Sequence, residues 1–271
     1  MTASLPLPRL EQRLFSGIPL LTDDALASSV GIRAGFTSRH GGVSSGAFSS
    51  LNPCSYVGDD LEDVLENRRL LLNALGASDA ALITSSQVHG TNVVSVASAD
   101  AGSVCRAQQE AQEGADALLV GSADVAALMF SADCALVILA APSGHFAIAH
   151  AGWRGACGGI VGISVAHLCQ ASQCAPETLN MYVGPHIHAE CFEVGPEVTE
   201  RFRRAIGNEC VPDDRHVSLL DAVRIDATRS GVDPLRIVDA GVCTKCRAHD
   251  YFSYRASGGV CGRLGAIAFR R

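Results

Sequence analysis

The sequence predicts a mixed α/β fold in which strands are buried inside a sheet sandwich or beneath helices. Short apolar segments bounded by turn residues recur along the chain, and longer segments with helical spacing of apolar residues lie between them. A chain of 271 residues with 48% hydrophobic and 18% charged residues can bury a large core. Because no internal repeat, low-complexity tract or linker divides it, we expect one domain over residues 1–271.

The most apolar segment is a predicted hairpin with strands over residues 135–141 and 145–149 and a turn at residues 142–144. Both faces of both strands are apolar, which is typical of strands covered on two sides. If the hairpin is symmetric about Pro142, Cys134 lies opposite His150, with Cβ atoms roughly 4.5–5.5 Å apart. A thiol and an imidazole held that close could share a metal ion or form a nucleophile–base pair, although a one-residue slip would separate them.

The other predicted elements follow from local pattern. Strands are expected over residues 31–38, on both sides of a bend near His89 within 82–97, and over 115–120, 125–130, 179–183, 235–240 and 264–269. Helices are expected over 61–75 with Asp60 as N-cap and Gly76 at its end, from residue 155 to about 168, over 196–206 and over 219–230. Residues 99–113 are polar without a clear period and are expected to be irregular.

Net charge and cysteine usage restrict the class of protein. A net charge of −7 and a pI near 5.7 argue against nucleic acid or an acidic membrane as the main partner. The N-terminal residues do not resemble a signal peptide, and no apolar run approaches a membrane span. Eleven cysteines without the spacing of a small disulfide scaffold favour reduced thiols in the cytoplasm.

Two further cysteines and two histidines have metal-ligand spacing. Cys243 and Cys246 form a C-x-x-C pair, but a zinc ribbon needs a second pair and only Cys261 follows them. A redox motif needs a following helix, and residues 247–252 do not predict one, so neither is favoured. His186 and His188 alternate without a third partner nearby, and we interpret them as unrelated to function.

Polar loops provide two candidate anion contacts. Residues 39–44 form a glycine-rich loop that is more simply a turn than a backbone cradle for an anion with Arg39 supplying charge. Arg154 lies where a predicted helix begins beyond the hairpin, and helix N-termini favour anions.

His89 could join Cys134 and His150, although a single histidine at a strand bend is more often a hydrogen-bonded turn residue. One thiolate and two imidazoles suit zinc and leave a fourth position for water or substrate, as in catalytic sites. Zinc would lower the pKa of a bound water towards ~7. Without metal, Cys134 and His150 could act as a thiolate–imidazolium pair, and local pattern does not choose between these alternatives.

Six segments together resemble the YfiH family of bacterial laccase-domain proteins, which are described as purine nucleoside phosphorylases and adenosine deaminases. They are residues 86–90 (SQVHG), 131–134 (SADC), 150–155 (HAGWRG), 183–185 (VGP), 192–195 (FEVG) and 252–255 (FSYR). The resemblance extends in order from about residue 37 to 265. It implies a mixed α/β (α+β) fold of mixed sheets in a central sandwich flanked by helices, with the motifs inside about 31–269.

The resemblance also implies a zinc ion (Zn2+) held by His89, Cys134 and His150. It implies phosphorolysis of adenosine, inosine, guanosine and methylthioadenosine, together with deamination of adenosine. Purine nucleosides and phosphate are then the partners, and we expect a monomer or weak homodimer.

Three arginines within the region of resemblance are candidates for phosphate or ribose contacts, namely Arg39, Arg154 and Arg255. Asp133 could orient a ligand imidazole or handle a proton.

Three rival interpretations remain at this stage. The family's older label implies a copper polyphenol oxidase, but nine histidines with a single H-x-H pair offer few ligands for several coppers. A kinship with toxin-like cysteine hydrolases suggests a metal-free Cys–His amidase. A protein that uses zinc only to bind a partner would need a closed site with a fourth protein ligand.

Overall fold

Two six-stranded mixed sheets pack face to face in this computed structural model, which describes residues 4–271. The first sheet has the spatial order β1 (Glu11–Phe15), β2 (Ile18–Thr22), β3 (Ile32–Thr37), β12 (Leu264–Arg270), β7 (Val125–Ser131) and β4 (Ala81–Thr84). The second has the order β11 (Ile237–Asp239), β10 (Asn180–Val183), β8 (Ala135–Ala140), β9 (Phe146–Ala151), β6 (Ala117–Val120) and β5 (Val93–Val96).

The helices are α1 (Asp24–Val30), α2 (Leu61–Leu75), α3 (Ala101–Gly114), α4 (Trp153–Cys157), α5 (Ile160–Ser172), α6 (Pro196–Ala205), α7 (Leu219–Arg229) and α8 (Tyr254–Ser257). Helix α2 covers the outer face of the first sheet, and α5, α6 and α7 cover the outer face of the second. The predicted sandwich flanked by helices is therefore confirmed. Among residues 4–271, none of the helices combines the length and apolar character needed to cross a bilayer.

Alternation along the central hairpin places each strand face in a different core. Leu136, Ile138 and Ile148 lie in the layer between the two sheets, whereas Val137 and Leu139 face the helices. Both faces are buried, as the apolar pattern predicted, because each sheet of the sandwich has a second layer behind it.

The hairpin register differs from the prediction by two residues. His150 pairs with Leu136, and the pairing is symmetric about Ser143 rather than Pro142, so Cys134 is not directly opposite His150. A shift of two residues keeps every side chain on its predicted face, because the side-chain period of a strand is two. Cys134 lies just before β8, diagonally across the hairpin from His150. Their ligand atoms still lie within 4.8 Å of each other.

Two predicted elements were wrong in type or extent. Residues 99–113 are not irregular: they form most of α3, capped by the Asp100 side chain, which accepts the Ser103 N–H at 2.9 Å. Its buried face contains only Ala107 and Ala111, which are too small to create an obvious apolar stripe. The single helix expected after residue 155 is broken into α4 and α5, because Gly159 adopts a left-handed φ of 78°.

Helix α2 has the predicted ends, with Asp60 accepting the Glu62 N–H and Gly76 closing the helix in a left-handed conformation. Strands β1 and β2 and helix α1, at the N-terminal end of the described chain, were not predicted. Strand β3 lies within the predicted strand over residues 31–38, whereas β1 is largely exposed and polar.

Candidate active site

Two connections that cross between the sheets bring the candidate residues together. His89 lies between β4 of the first sheet and β5 of the second, and Cys134 lies between β7 of the first sheet and β8 of the second. His150 lies within β9, on the face directed at the first sheet. Because both crossings occur at the same end of the sandwich, residues remote in sequence meet there.

The three side chains predicted as a metal trio are close enough to share one ion. One ligand atom from each of His89, Cys134 and His150 lies within 4.8 Å of the other two. Cys134 Sγ is 4.0 Å from His89 Nε2, and the imidazole ring centroids are 4.8 Å apart with the rings nearly perpendicular. His150 is buried, Cys134 is partly buried and His89 is exposed, so the group is reachable from one side.

Asp116, which the sequence analysis missed, organises this group. Its Oδ1 lies 2.8 Å from His150 Nδ1, and its carboxylate accepts the backbone N–H groups of Val88, His89 and Gly90 at 3.2, 3.0 and 2.7 Å. The bond to Nδ1 leaves His150 Nε2 free to face the thiol. Nothing local distinguishes Asp116, which lies between a polar helix and an apolar strand.

Gln87 fastens the histidine-bearing loop to the first sheet. Its amide donates to the Phe130 carbonyl at 2.7 Å and accepts the Phe130 N–H at 2.8 Å. His89 itself has a φ of 61°, an uncommon conformation for a residue with a side chain. The reciprocal amide bond and Asp116 hold the backbone in that conformation.

Gly152 leaves room for the group. A Cβ atom placed there would lie 2.6 Å from His89 Cδ2 and 3.2 Å from Cys134 Sγ. The glycine after His150 in the sequence HAGWRG therefore permits the close approach of the chain to both ligands.

A cavity of about 400 Å³ opens above the three side chains. Its wall contains arginines, aromatic rings and a carboxylate: Arg154, Arg255, Arg263, Tyr56, Trp153, Phe192, Tyr254 and Asp133. Arg154 stacks on Trp153, with its guanidinium carbon 4.2 Å from the ring centroid, and Arg255 donates to the Glu193 carbonyl at 3.0 Å. Arg263, Tyr56 and Tyr254 were not predicted as part of the site.

Arg39 does not line this cavity. Its guanidinium donates to the Ser49 carbonyl at 2.7 Å and the Ala248 carbonyl at 3.0 Å, and it stacks 4.7 Å from the Phe252 ring centroid. The Arg39 N–H donates to the Asp250 carbonyl, and the Arg39 carbonyl accepts the N–H groups of Ser50 and Leu51, so this loop is bonded to backbone outside residues 39–44. Its predicted phosphate contact therefore has no geometric support.

Asp133 lines the cavity but does not orient an imidazole. Its Oδ1 accepts the Thr244 hydroxyl at 2.6 Å and its Oδ2 accepts the Arg255 N–H at 2.7 Å. The orienting role proposed for Asp133 belongs to Asp116. Asp133 instead connects the segment before Cys134 to two loops of the cavity wall.

Charge is separated between the thiol and the imidazole. Burial opposes ionisation of Cys134, but the charges and hydrogen bonds of His150 and His89 outweigh it and lower its pKa to about 6. Burial likewise opposes protonation of His150, but Cys134 and Asp116 raise its pKa to about 9. At neutral pH without metal, these side chains form a thiolate–imidazolium pair.

The chain is similar to known proteins over most of its length. Residues 33–271 match the family model described as multi-copper polyphenol oxidoreductase laccase. The chain is 34% identical over 249 residues to purine nucleoside phosphorylase YlmD of Geobacillus stearothermophilus, covering 89% of this chain and 91% of that protein. It is 31% identical over 256 residues to adenosine deaminase RL5 of an unknown prokaryotic organism, covering 92% and 97%.

A solved structure has the same fold. The crystal structure of the Bacillus licheniformis hypothetical protein YfiH superposes with a TM-score of 0.83 at 24% identity, covering 94% of this chain and 97% of that chain. The two-sheet architecture described above is therefore shared with a protein of experimentally determined structure.

Proposed function

This chain belongs to the YfiH family of laccase-domain proteins, and on that premise we propose that it is a purine nucleoside phosphorylase that also deaminates adenosine. The expected substrates are adenosine, inosine, guanosine and methylthioadenosine. The observation that carries the proposal is the convergence of His89, Cys134 and His150 at the base of an arginine- and aromatic-lined cavity. Its volume of about 400 Å³ lies within the range of small-molecule sites, about 300–1,000 Å³.

The donor set fits zinc. Two imidazoles and one thiolate are preferred zinc ligands, and three protein ligands leave one position for chemistry. Asp116 bonded to His150 Nδ1 is the hydrogen-bond partner that zinc-binding histidines usually have. A bound zinc ion would act as a Lewis acid that lowers the pKa of water and polarises a substrate oxygen or nitrogen.

The residues of the cavity wall suit a nucleoside and phosphate. Trp153, Phe192 and Tyr254 offer ring faces and edges against which a purine can pack. Arg154 and Arg255 line the cavity and would bind the phosphate dianion, and Arg263 adds a third guanidinium to the same wall.

In phosphorolysis, a phosphate oxygen forms a bond to the anomeric carbon while the bond from that carbon to the purine nitrogen breaks. The leaving purine takes up a proton. Arg154 and Arg255 would hold the phosphate against the sugar and lower the cost of bringing two reactants together. Deamination of adenosine consumes water and releases ammonia, so it needs no phosphate.

Product analysis tests the proposal. Zinc-loaded protein is incubated with adenosine with and without phosphate, and adenine, inosine and hypoxanthine are separated by chromatography. Adenine that forms only with phosphate identifies phosphorolysis, and inosine that forms without phosphate identifies deamination. Absence of all three products at stoichiometric zinc would contradict the proposal.

An arginine pair provides a matched control. Arg154→Ala should raise the phosphate KM at least tenfold, because it removes a cation from the cavity wall. Arg39→Ala should leave the phosphate KM unchanged, since its guanidinium is bonded outside the cavity. An equal effect of both variants on the phosphate KM would contradict the assignment of Arg154.

The thiolate–imidazolium pair favours one second candidate, a metal-free cysteine hydrolase. A Cys134 pKa of about 6 beside His150 is the property of an activated nucleophile. Hydrolysis of an amide that persists after complete chelation of metal would support this candidate and count against zinc.

The description of the family model favours a copper oxidase as a further alternative. Of the residues that the structure describes, those grouped in this cavity provide two imidazoles and one thiolate, enough ligands for one ion. Stoichiometric copper in the purified protein, with oxidation of a polyphenol, would revive this alternative.

A further inference from the structure

A second group of metal-ligand side chains lies outside the candidate active site. Glu190, Cys191, Cys243 and Cys246 each place one ligand atom within 4.8 Å of the other three. Cys191 Sγ and Cys246 Sγ are 3.4 Å apart, although the residues are separated by 55 positions. Cys191 ends a short 3-10 turn over Ala189–Cys191, and the other two cysteines begin the loop after β11.

This geometry overturns the interpretation of Cys243 and Cys246 as an incomplete pair. The third cysteine precedes the C-x-x-C segment and is brought to it by the loop between β10 and α6. Cys261, which follows in sequence, contributes no ligand atom to this group, and neither do His186 and His188. His188 lies beside the group: its backbone N–H donates to Cys243 Sγ at 3.4 Å, and its Nδ1 is 3.6 Å from Glu190 Oε1.

We propose that Cys191, Cys243, Cys246 and Glu190 bind a structural zinc ion. Zinc–sulfur bonds of about 2.3 Å in a tetrahedron place sulfur atoms roughly 3.8 Å apart. The observed distances agree with that spacing: two of the sulfur atoms are 3.4 Å apart, and all four ligand atoms lie within 4.8 Å of one another. Three soft thiolates select zinc over magnesium or calcium, and a fourth protein ligand closes the site.

The proposed zinc would fasten the wall of the active-site cavity. Thr244, between the two cysteines of the C-x-x-C segment, donates its hydroxyl to Asp133 at 2.6 Å. Ile187, which precedes Glu190, donates its N–H to the Asp133 carbonyl at 2.8 Å and lines the cavity. The ion would therefore connect two irregular loops that both contact the residue next to Cys134.

Backbone contacts between these loops show why an extra connection matters. His186 N–H donates to the Val242 carbonyl at 3.2 Å and Thr244 N–H donates to the His186 carbonyl at 2.9 Å. Beyond this isolated bridge, Cys191 lies in a single 3-10 turn and Cys246 lies in a loop without helix or strand. A metal that joins segments far apart in sequence binds the folded arrangement more tightly than the unfolded chain and so stabilises it.

Metal counting on the full-length protein tests the proposal. Elemental analysis after dialysis against excess zinc should find two zinc ions per chain in the unmodified protein. Cys246→Ser should retain one, because the serine hydroxyl is a poor zinc ligand. His89→Ala should also retain one, held by the second group, even if this variant has no activity towards nucleosides.

Cobalt spectroscopy distinguishes the two sites without reference to activity. Three of the four proposed ligand thiolates lie in the second group, so Cys246→Ser should remove most of the thiolate-to-cobalt absorption, whereas His89→Ala should remove the smaller part. Cys105→Ser, which replaces an exposed cysteine on α3, should change neither the zinc count nor the spectrum. Glu190→Gln should keep the three-thiolate absorption and weaken zinc binding at least tenfold.

One zinc ion in the unmodified protein and none in His89→Ala would overturn the proposal. A Cys191–Cys246 disulfide in protein purified and kept under reducing conditions would also overturn it. Because Cys246 is exposed, its serine variant should fold, and the thermal unfolding midpoint with and without zinc checks that it does. Failure of the nucleoside assay with retention of the second zinc would contradict only the proposed function.

Discussion

The carboxylate of Asp116 is fully buried and accepts hydrogen bonds from His150 and from three successive backbone N–H groups of the loop over residues 88–90. A buried charge without partners would be costly, so these bonds are needed to keep the carboxylate ionised. One residue therefore fixes both the tautomer of His150 and the backbone that carries His89. These bonds hold His150 and the loop of His89 in position within the predicted metal trio.

Asp116→Asn should weaken zinc binding at the His89–Cys134–His150 group about 10–100-fold, because an amide orients the imidazole less strongly than a carboxylate. Competition with a chromophoric chelator measures the affinity. Asp124→Asn is the matched control, since Asp124 is exposed and its left-handed backbone tolerates asparagine. Equal affinities in the Asp116 variant and the control would refute this role.

Cys134 should be unusually reactive in zinc-free protein. Its pKa of about 6 means that the thiolate predominates at neutral pH and is lost as the pH falls through about 6. The rate of alkylation by iodoacetamide, followed by mass spectrometry of the Cys134 peptide, should have its midpoint there. Cys157, whose pKa is raised to about 11 by burial, should react only at high pH.

His150→Ala should move the Cys134 midpoint upwards, because it removes the largest favourable charge interaction of the thiolate. A Cys134 profile with an ordinary thiol midpoint near 8.5 in the unmodified protein would contradict the ion pair.

At the scale of elements, the connections between strands matter more than the strands. His89 follows β4 and Cys134 follows β7, each in a connection that crosses to the second sheet. The two residues meet because β4 and β7 are adjacent strands of the first sheet. Gln87 secures this arrangement by bonding both backbone groups of Phe130 in β7. The loop position is thereby coupled to the end of a buried strand.

Gln87→Ala should destabilise the folded protein by about 1–3 kcal/mol, because it leaves an N–H and a carbonyl of Phe130 without partners. Urea unfolding measures the change in the free energy of unfolding. Gln109→Ala on the exposed side of α3 should change it by less than about 0.5 kcal/mol. A Gln87 variant as stable as the Gln109 variant would show that the reciprocal amide bond contributes nothing.

At the scale of the whole molecule, both proposed zinc ions lie where segments from different parts of the chain meet. The first joins the two crossings between the sheets, and the second joins loops on the wall of the same cavity. The sheets share a continuous apolar layer that includes Phe36, Met129 and Ile148. We therefore expect residues 1–271 to unfold as one domain, with metal binding coupled to that transition.

Zinc should stabilise the folded chain in proportion to site occupancy. Free zinc at 100 times the dissociation constant should raise the free energy of unfolding by about 2.7 kcal/mol per site, provided that the unfolded chain does not bind it. Urea unfolding at buffered zinc concentrations measures this increase. His89→Ala and Cys246→Ser should each lose the stabilisation that one site contributes. A urea unfolding midpoint that does not depend on zinc would contradict both sites.

Local sequence pattern was sufficient to predict most of the helices and strands. The spacing of apolar residues and the capping residues that mark these elements depend only on neighbouring positions in the chain. The buried hairpin, helix α2 with Asp60 and Gly76, and the strand over Leu264–Arg270 were predicted from such signals. Helix α3 was not, because alanines form its buried face, and β1 was not, because it is an exposed edge strand.

The sequence by itself determined the family of the chain, most of its strands and the residue types of the predicted metal trio, because motifs and side-chain alternation are local. Only the tertiary structure decided which residues support that trio, placing Asp116 on His150 and turning Asp133 and Arg39 towards other partners. It alone brought Cys191 to Cys243 and Cys246. The physical reason is that contacts across 55 positions depend on where the loops between packed sheets return, which no local period encodes.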